Sequence, residues 1–301
     1  MMRLAVTGGT GFVGSHLIEA ALAAGHEVNA LTRRPQPPQS GVRWVEGALD
    51  QPEALTRLCQ DCDAVVHVAG VINGDAQAFH HGNVVGSEAM IAAAASAGIR
   101  RFIHISSLSA REPDLSAYGR SKCESEEPVI AAGLNWTIIR PPAIYGPRDR
   151  EMFELFRIAR YGVLPLPPGD RLSIIHVADL CGLILACLDN AVSHARTYEP
   201  DDGREDGWTP AELARAIGRA VGRKVLPLPI PRRLLLMGVP IDRFFRGHKA
   251  KLTRDRVNYF CHPDWTAAPH ARPPAELWRA EIPTEAGLAA TARWYKAQHW
   301  L

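Results

Sequence analysis

Residues 3–35 read RLAVTGGTGFVGSHLIEAALAAGHEVNALTRRP, and this stretch decides the fold. Arg3 to Thr7 is a short apolar run of strand length. Glycines follow it, and then an alanine- and leucine-rich helix extends from about Gly11 to Ala24. Gly25 is a natural helix stop, and EVNALT is a second strand. A strand, a glycine turn, a helix and a strand make one βαβ unit. In that context the turn TGGTGFVG, residues 7–14, acquires a meaning that isolated glycines lack. Gly8 permits a tight turn, Gly11 lets backbone approach a pyrophosphate, and Gly14 lets the helix pack close to the strand. Backbone N–H groups at the helix start, those of Phe12 and Val13 included, then face the phosphates. The alternative is a glycine-rich turn with no ligand.

The alternation continues. Further strand candidates are VRWVEG (42–47), AVVHVA (64–69), RFIHIS (101–106), WTIIRP (136–141) and SIIHV (173–177), with helical stretches between most of them. SEAMIAAAASAG (87–98) is the clearest helix. Strands alternating with helices imply a parallel sheet covered on both faces. The expected class is α/β, a Rossmann-type doubly wound parallel sheet. After about residue 200 the texture changes to proline-rich, apolar and helical. We therefore expect a dinucleotide-binding domain over residues 1–195, with about 143–170 contributing to a substrate cleft. A smaller α-rich C-terminal substrate region, a cap over 196–301, would follow. In it GWTPAELARAIGRAVG reads as a helix with Thr209 as N-cap and Pro210 at the first helical position.

Composition narrows the function classes. Apolar residues make up 47% and charged residues 22%, as in an ordinary globular protein. The net charge of +2 provides no strong field for nucleic acid, so a nucleic-acid partner is not expected. No apolar run reaches the roughly 18–20 residues of a membrane span. No signal-peptide pattern opens the chain, and the cytoplasm is the expected location. The six cysteines form no disulfide framework. Cys59 and Cys62 make a single C-x-x-C without the second pair a structural zinc site requires, so no metal is expected. A redox pair and two helix-end cysteines are the readings left.

The second strand ends in LTRRP, where an acidic residue would bind the ribose 2′-hydroxyl of NAD. Arg33 and Arg34 stand there instead. Guanidinium groups suit a 2′-phosphate, which predicts NADP(H) in preference to NAD(H), unless both are solvated surface charges. YGRSK, residues 118–122, sets a tyrosine four residues before a lysine. Six tyrosines and few lysines leave about a one in ten chance of such a pair by accident, so its meaning depends on what precedes it.

What precedes and follows it forms a recognisable order: the TGxxGxxG loop, DAVVHVAG, NVVGSEAM, HISSLSA, YxxxK, RPPAIYGP and IIHVADL. That order, over roughly residues 3 to 190, resembles the extended short-chain dehydrogenase/reductase family. The family includes nucleotide-sugar epimerases and dehydratases, dihydroflavonol reductases and 3β-hydroxysteroid dehydrogenases. The resemblance implies a catalytic set of Ser107, Tyr118 and Lys122, with Ser106 and Ser109 competing for the serine role. A free phenol has a pKa near 10, and a lysine one helical turn away can stabilise its anion. The resemblance further implies that Ala69 and Gly70 let the cofactor pass, that Pro141 lies beside the nicotinamide with Arg140 and Pro142, and that Lys122 binds the nicotinamide ribose. Asn83 is either near the substrate or bonded to backbone. Tyr145 and Arg148 would enter the substrate cleft or shape its rim. His176 and Asp179 resemble the family's seventh-strand motif in a structural role. Where the family often has an aspartate for the adenine amino group, VEGALD offers Ala48, and Asp50 is the substitute.

Two departures bear on substrate. Nucleotide-sugar enzymes often carry an Arg-Asp pair just before the seventh strand, and Leu172 and Ser173 are aligned with it here. They also often have Thr-x-Asn after the helix glycine, where this chain has Ser87-Glu88-Ala89. IPRRLLLMGVPIDRFF (230–245) is strongly apolar with arginines at its edges. It reads as the wall of a lipophilic substrate cleft, as ordinary core, or as a homodimer contact; Pro231 and Pro240 argue against a membrane-surface helix. The leading expectation is an NADP(H)-dependent oxidoreductase that interconverts a carbonyl compound and an alcohol. A nucleotide-sugar epimerase or dehydratase, and an NADPH-binding assembly or sensor protein, are the alternatives.

Overall fold

The glycine turn does open a parallel sheet. A computed structural model describes residues 1–247 and 252–301; the His248–Lys251 part of the basic stretch lies outside the described residues. The strands are β1 (Arg3–Thr7), β2 (Glu27–Thr32), β3 (Val42–Glu46), β4 (Ala64–His67), β5 (Arg101–Ile105), β6 (Asn135–Ile139), β7 (Ala143–Tyr145), β8 (Val163–Leu166), β9 (Arg171–Leu172), β10 (Ile174–His176), β11 (Arg196–Tyr198), β12 (Leu226–Pro229) and β13 (Asp264–Trp265). The helices are α1 (Phe12–Ala23), α2 (Pro52–Cys59), α3 (Ala76–Phe79), α4 (Gly86–Ser96), α5 (Ala117–Ala131), α6 (Phe153–Ala159), α7 (Val177–Asp189), α8 (Pro210–Val221), α9 (Arg232–Arg246), α10 (Arg254–Phe260) and α11 (Thr284–Ala297). A π-helical turn, His80–Val85, joins α3 to α4.

Seven strands form the main sheet in the order β3-β2-β1-β4-β5-β6-β11, all parallel. β1 and β4 are neighbours whose onward connections run in opposite directions across the sheet. Ligands bind beyond the carboxyl ends of strands at such a switch point. The central strands β4 and β5 are buried along their whole length, as a sheet covered on both faces requires. One face packs on α1 and α7 through Leu17, Ile18, Leu180 and Ile184, the other on α2 and α4 through Leu55, Leu58, Met90 and Ile91.

Three sequence expectations change. SIIHV does form a strand, but β10 pairs with β7 in a separate ladder, and the seventh strand of the main sheet is β11. β11 is three residues long among polar neighbours, too short to show alternation. It also lies beyond the expected boundary at residue 195, so the sheet takes its edge strand from the segment assigned to the cap. Conversely, Tyr145, Phe156 and Leu164 share a second core with Trp208, Leu213, Ile217, Leu288 and Tyr295. α8 forms as read: Thr209 and Glu212 make a reciprocal capping box, Pro210 opens the helix and Gly222 ends it at φ +79°. α9 runs through Pro240 without interruption. Among the described residues, no helix is long and apolar enough to cross a membrane.

Candidate active site

The glycine turn is held by contacts that permit no side chain. Gly8 has φ +71°, and a Cβ on it would lie 2.8 Å from the Ala69 backbone nitrogen. A Cβ on Gly14 would lie 2.1 Å from the Gly8 carbonyl oxygen, so α1 starts directly against the turn. Ala69 N–H donates to Thr7 Oγ1 at 3.1 Å, which ties the ends of β1 and β4 together. α1 begins after Gly11 with no side-chain cap and no acidic residue in its first turn. The first N–H groups of a helix lack intrahelical partners, so this start fits a pyrophosphate in charge and in space.

Arg33 and Arg34 are exposed just beyond β2, where Thr32 Oγ1 donates to the Arg34 carbonyl at 2.6 Å and fixes the turn. Arg33 lines a hollow of about 310 Å³ with Glu46, Gly47, Ala48 and Gln51. Asp50 is exposed and stands outside that lining, while its neighbour Gln51 is within it. Gln51 precedes α2, a boundary the strand pattern did not locate.

The third group gathers beyond β4 and β5. Ser107 opens a short 3₁₀ turn and accepts hydrogen bonds from Ser109 N–H at 3.3 Å and Ser109 Oγ at 3.0 Å. Both bonds leave the Ser107 proton for another acceptor. Burial pushes the Tyr118 phenol above its ordinary pKa, and the nearby Ser107 hydroxyl opposes that rise. Ser106, the first rival, is committed elsewhere: it donates to Glu126. Tyr118 and Lys122 lie one turn apart on α5, whose start is capped by Ser116. Lys122 is buried and donates to the Ile105 carbonyl at 2.9 Å. Burial lowers its pKa to about 8, opposed by the Glu126 carboxylate one turn further along. A Cβ on Gly70 would stand 3.1 Å from Asn83 Oδ1 and 3.2 Å from Lys122 Nζ, so the loop after β4 crosses directly over both.

Asn83 turns out to be a backbone clamp. It accepts from Val71 N–H at 2.7 Å and donates to the Val71 carbonyl and to Ser121 Oγ, whose own proton goes to the Tyr118 carbonyl. Pro141 meets the serine turn through its carbonyl, which accepts from Leu108 N–H at 3.0 Å. His67 and His104 stack beneath at 5.5 Å between centroids. Burial and the Lys122 charge lower both, His67 to about 3, so they are neutral.

Other expected residues are not brought to this group. Tyr145 is fully buried in the second core, edge-on to His176, which corrects its placement in a substrate cleft. Arg148 makes two hydrogen bonds to Glu19 of α1, at 2.8 and 2.7 Å. The chain after β7 folds into the second core, and that carries Tyr145 away. Arg140 pairs with Glu126. His176 caps α7, and Asp179 accepts from the backbone of Glu281 and Ile282. Cys59 ends α2; its thiol is pushed up by burial to about 11 and that of Cys62 to about 12, which suits inert packing. Among the described residues, no cluster of His, Cys, Asp and Glu could hold a metal ion.

Sequence reasoning missed the cap residues that reach this site. Asp255 of α10 accepts a hydrogen bond from Ala117 N–H. Arg111, at the end of the serine turn, donates to the carbonyls of Asp264 and Thr266. Burial, and after it the nearby Tyr118, pushes the Tyr259 phenol up, and its ring packs on Trp265 at 4.6 Å. These pairs span more than a hundred residues, and nothing local marks them.

A switch-point glycine cradle with a serine, tyrosine and lysine beside it defines a nicotinamide-nucleotide enzyme of the extended short-chain dehydrogenase/reductase type, a class that includes both reductases and epimerases. The chain belongs to the NAD dependent epimerase/dehydratase family, which it matches over residues 4–199. It is 37% identical to ceramide reductase of Caulobacter vibrioides, an alignment covering 99% of this chain and 96% of that protein. It is 32% identical to 2-alkyl-3-oxoalkanoate reductase of Stenotrophomonas maltophilia over 90% of this chain and 93% of that one. The fold also matches MoeE5 in complex with UDP-glucuronic acid and NAD, with a TM-score of 0.76 at 21% identity over 99% of this chain and 100% of that one.

Proposed function

We propose that the protein reduces a keto group on a lipophilic, acyl-chain-bearing substrate to the alcohol, with NADPH preferred over NADH. The observation that carries this reading is the extent of likeness to a ceramide reductase. The family match ends at residue 199, whereas that likeness continues through nearly the whole chain and so includes the cap. The cap is the part in which substrates differ within a shared nucleotide fold. The 2-alkyl-3-oxoalkanoate reductase, by name acting on an oxo compound that bears an alkyl group, supports the same class.

When bound, the nicotinamide cofactor would supply the hydride that the carbonyl carbon takes up. Tyr118 donates its phenolic proton to the carbonyl oxygen, which completes the alcohol. Ser107 directs its free proton at the same oxygen and fixes its position. Lys122 holds a positive charge behind Tyr118 as the phenolate forms, and also holds the nicotinamide ribose. Gly8, Gly11, Phe12, Val13 and Gly14 cradle the pyrophosphate, Ala69 and Gly70 floor the site, and Arg33 with Arg34 takes the 2′-phosphate.

A second reading, interconversion of a nucleotide sugar, is weakened by one region. Ser173 is buried and donates to Asp201, and Arg171 donates to the Asp206 carbonyl, so the segment before β10 is engaged within the protein. The two readings part on cofactor balance. Purified protein should consume one NADPH per alcohol formed from a 3-oxo-acyl lipid. Interconversion of UDP-sugars without net cofactor change, and no NADPH loss with any 3-oxo lipid, would overturn the proposal.

A further inference from the structure

Charge is unevenly placed along the chain. Residues 231–256 hold eight basic and two acidic side chains, a net +6, so the rest of the chain carries −4 of the overall +2. α9 is the helical core of this segment. Leu234, Met237, Ile241 and Phe244 recur along it at spacings of three and four, which sets them on one face. They are 54%, 67%, 58% and 84% exposed. Single exposed apolar residues are ordinary, but a row of four on one helix is not. A different side of α9 packs inward: Gly238 lies against Leu252, and Asp242 accepts a hydrogen bond from Leu252 N–H at 2.8 Å. Arg232, Arg233 and Arg254 are exposed in the same segment, Arg232 with a hydrogen bond to Asn258 of α10.

We propose that α9 is an interfacial anchor that lies on an anionic lipid bilayer. An apolar helix face within a strongly basic segment has the composition of such anchors, with apolar side chains entering the headgroup boundary and cations meeting lipid phosphates. Charge selects this occupant over a second copy of the chain. A two-fold contact through α9 would bring together two segments that each carry a net +6 in sequence, whereas a bilayer of anionic lipid complements that charge. Pro240 does not prevent this, because the helix continues through it. α9 packs on α10, and α10 touches the residue before Tyr118 through Asp255. The anchor therefore adjoins the catalytic group. Its use for collecting substrate from the bilayer rests on the lipid-ketone reading above, but the binding does not.

The test is flotation of the full-length protein with vesicles of phosphatidylcholine alone or mixed with phosphatidylglycerol, without substrate. The protein should float with the mixed vesicles, at least about tenfold less with phosphatidylcholine alone, and less in high salt. Leu234→Ser/Met237→Ser/Ile241→Ser should lose at least about tenfold in vesicle binding while keeping its circular dichroism and NADPH affinity. Arg232→Ser/Arg233→Ser should weaken binding to the anionic vesicles alone. No flotation of the wild type, or an unchanged triple-serine variant, would overturn the anchor. So would a dimer that the triple variant converts to monomer with no change in flotation. Because no substrate is present, a failed carbonyl assay and a failed flotation remain separate results.

Discussion

The carboxylate of Asp255, on cap helix α10, accepts a hydrogen bond from the backbone N–H of Ala117 at 2.9 Å, one residue before Tyr118. An acid at this place satisfies one of the orphan donors of α5 and opposes the positive end of its dipole. The cap thereby fixes the first turn of the helix that carries the proton donor. Asp255→Ala should lower stability by about 1 kcal/mol, the ordinary worth of a helix cap. It should also reduce kcat/KM several-fold without altering NADPH affinity, since the glycine cradle lies elsewhere. Asp255→Asn retains an acceptor and should keep most of the activity. Steady-state kinetics with thermal melts check this; an unchanged kcat/KM in the alanine variant would separate the cap contact from catalysis.

Tyr118→Phe removes one oxygen and little else. Its ring still packs against Phe79, 5.7 Å away. General acid catalysis contributes about 10²–10⁴-fold, so kcat should fall by at least about 10². NADPH binding, read by fluorescence titration, should remain within about twofold. A variant that turns over near the wild-type rate would remove Tyr118 from the mechanism.

Arg33→Ala/Arg34→Ala tests the cofactor preference. Charge-assisted bonds to a phosphate are the strong ones, and each 1.4 kcal/mol lost is tenfold in affinity. The Kd for NADPH should rise by at least about tenfold, and that for NADH should hardly move. Equal weakening of both would assign the arginines to general fold support.

Gly14→Ala adds one methyl group where a Cβ would stand 2.1 Å from the Gly8 carbonyl oxygen. Backbone cannot yield there without moving α1 off the turn. The variant should lose NADPH binding and melt several degrees lower. Gly98→Ala is the control: its Cβ would meet nothing within 4 Å, but its φ of +72° strains any side chain. It should lose stability modestly and retain cofactor binding.

The features legible in the sequence were those with a local signature. A strand, three glycines and a helix start lie within twenty residues, and the Tyr118–Lys122 spacing is one helical turn, so pattern alone placed them. β11 has three residues and no alternation, so the edge of the sheet was not visible. Tyr145 and Arg148 were read from family order, which does not register where the chain leaves the sheet after β7. The bonds from Arg111 to Asp264 and from Ala117 to Asp255 join residues 153 and 138 apart, and only the folded chain brings them together.

Glu126 offers the sharpest pH test. Burial disfavours the Lys122 ammonium, and the Glu126 carboxylate, one turn along α5, favours it; the balance leaves its pKa at about 8. Glu126→Gln keeps the shape and an acceptor for Ser106 but removes the charge. With the opposing carboxylate gone, the Lys122 pKa must fall below about 8. The cation is the form that stabilises the Tyr118 phenolate, and it is lost as pH rises through that pKa. The alkaline limb of kcat/KM should therefore move to lower pH. The same change leaves Arg140 with only the Glu199 carboxylate, 3.7 Å away, and should lower the melting temperature. Glu126→Gln/Arg140→Met removes that cation as well and should recover much of the melting temperature. Its alkaline limb should stay shifted, because Lys122 still lacks its partner. If the limb stays at the wild-type pH in both variants, it belongs to Tyr118 rather than to Lys122.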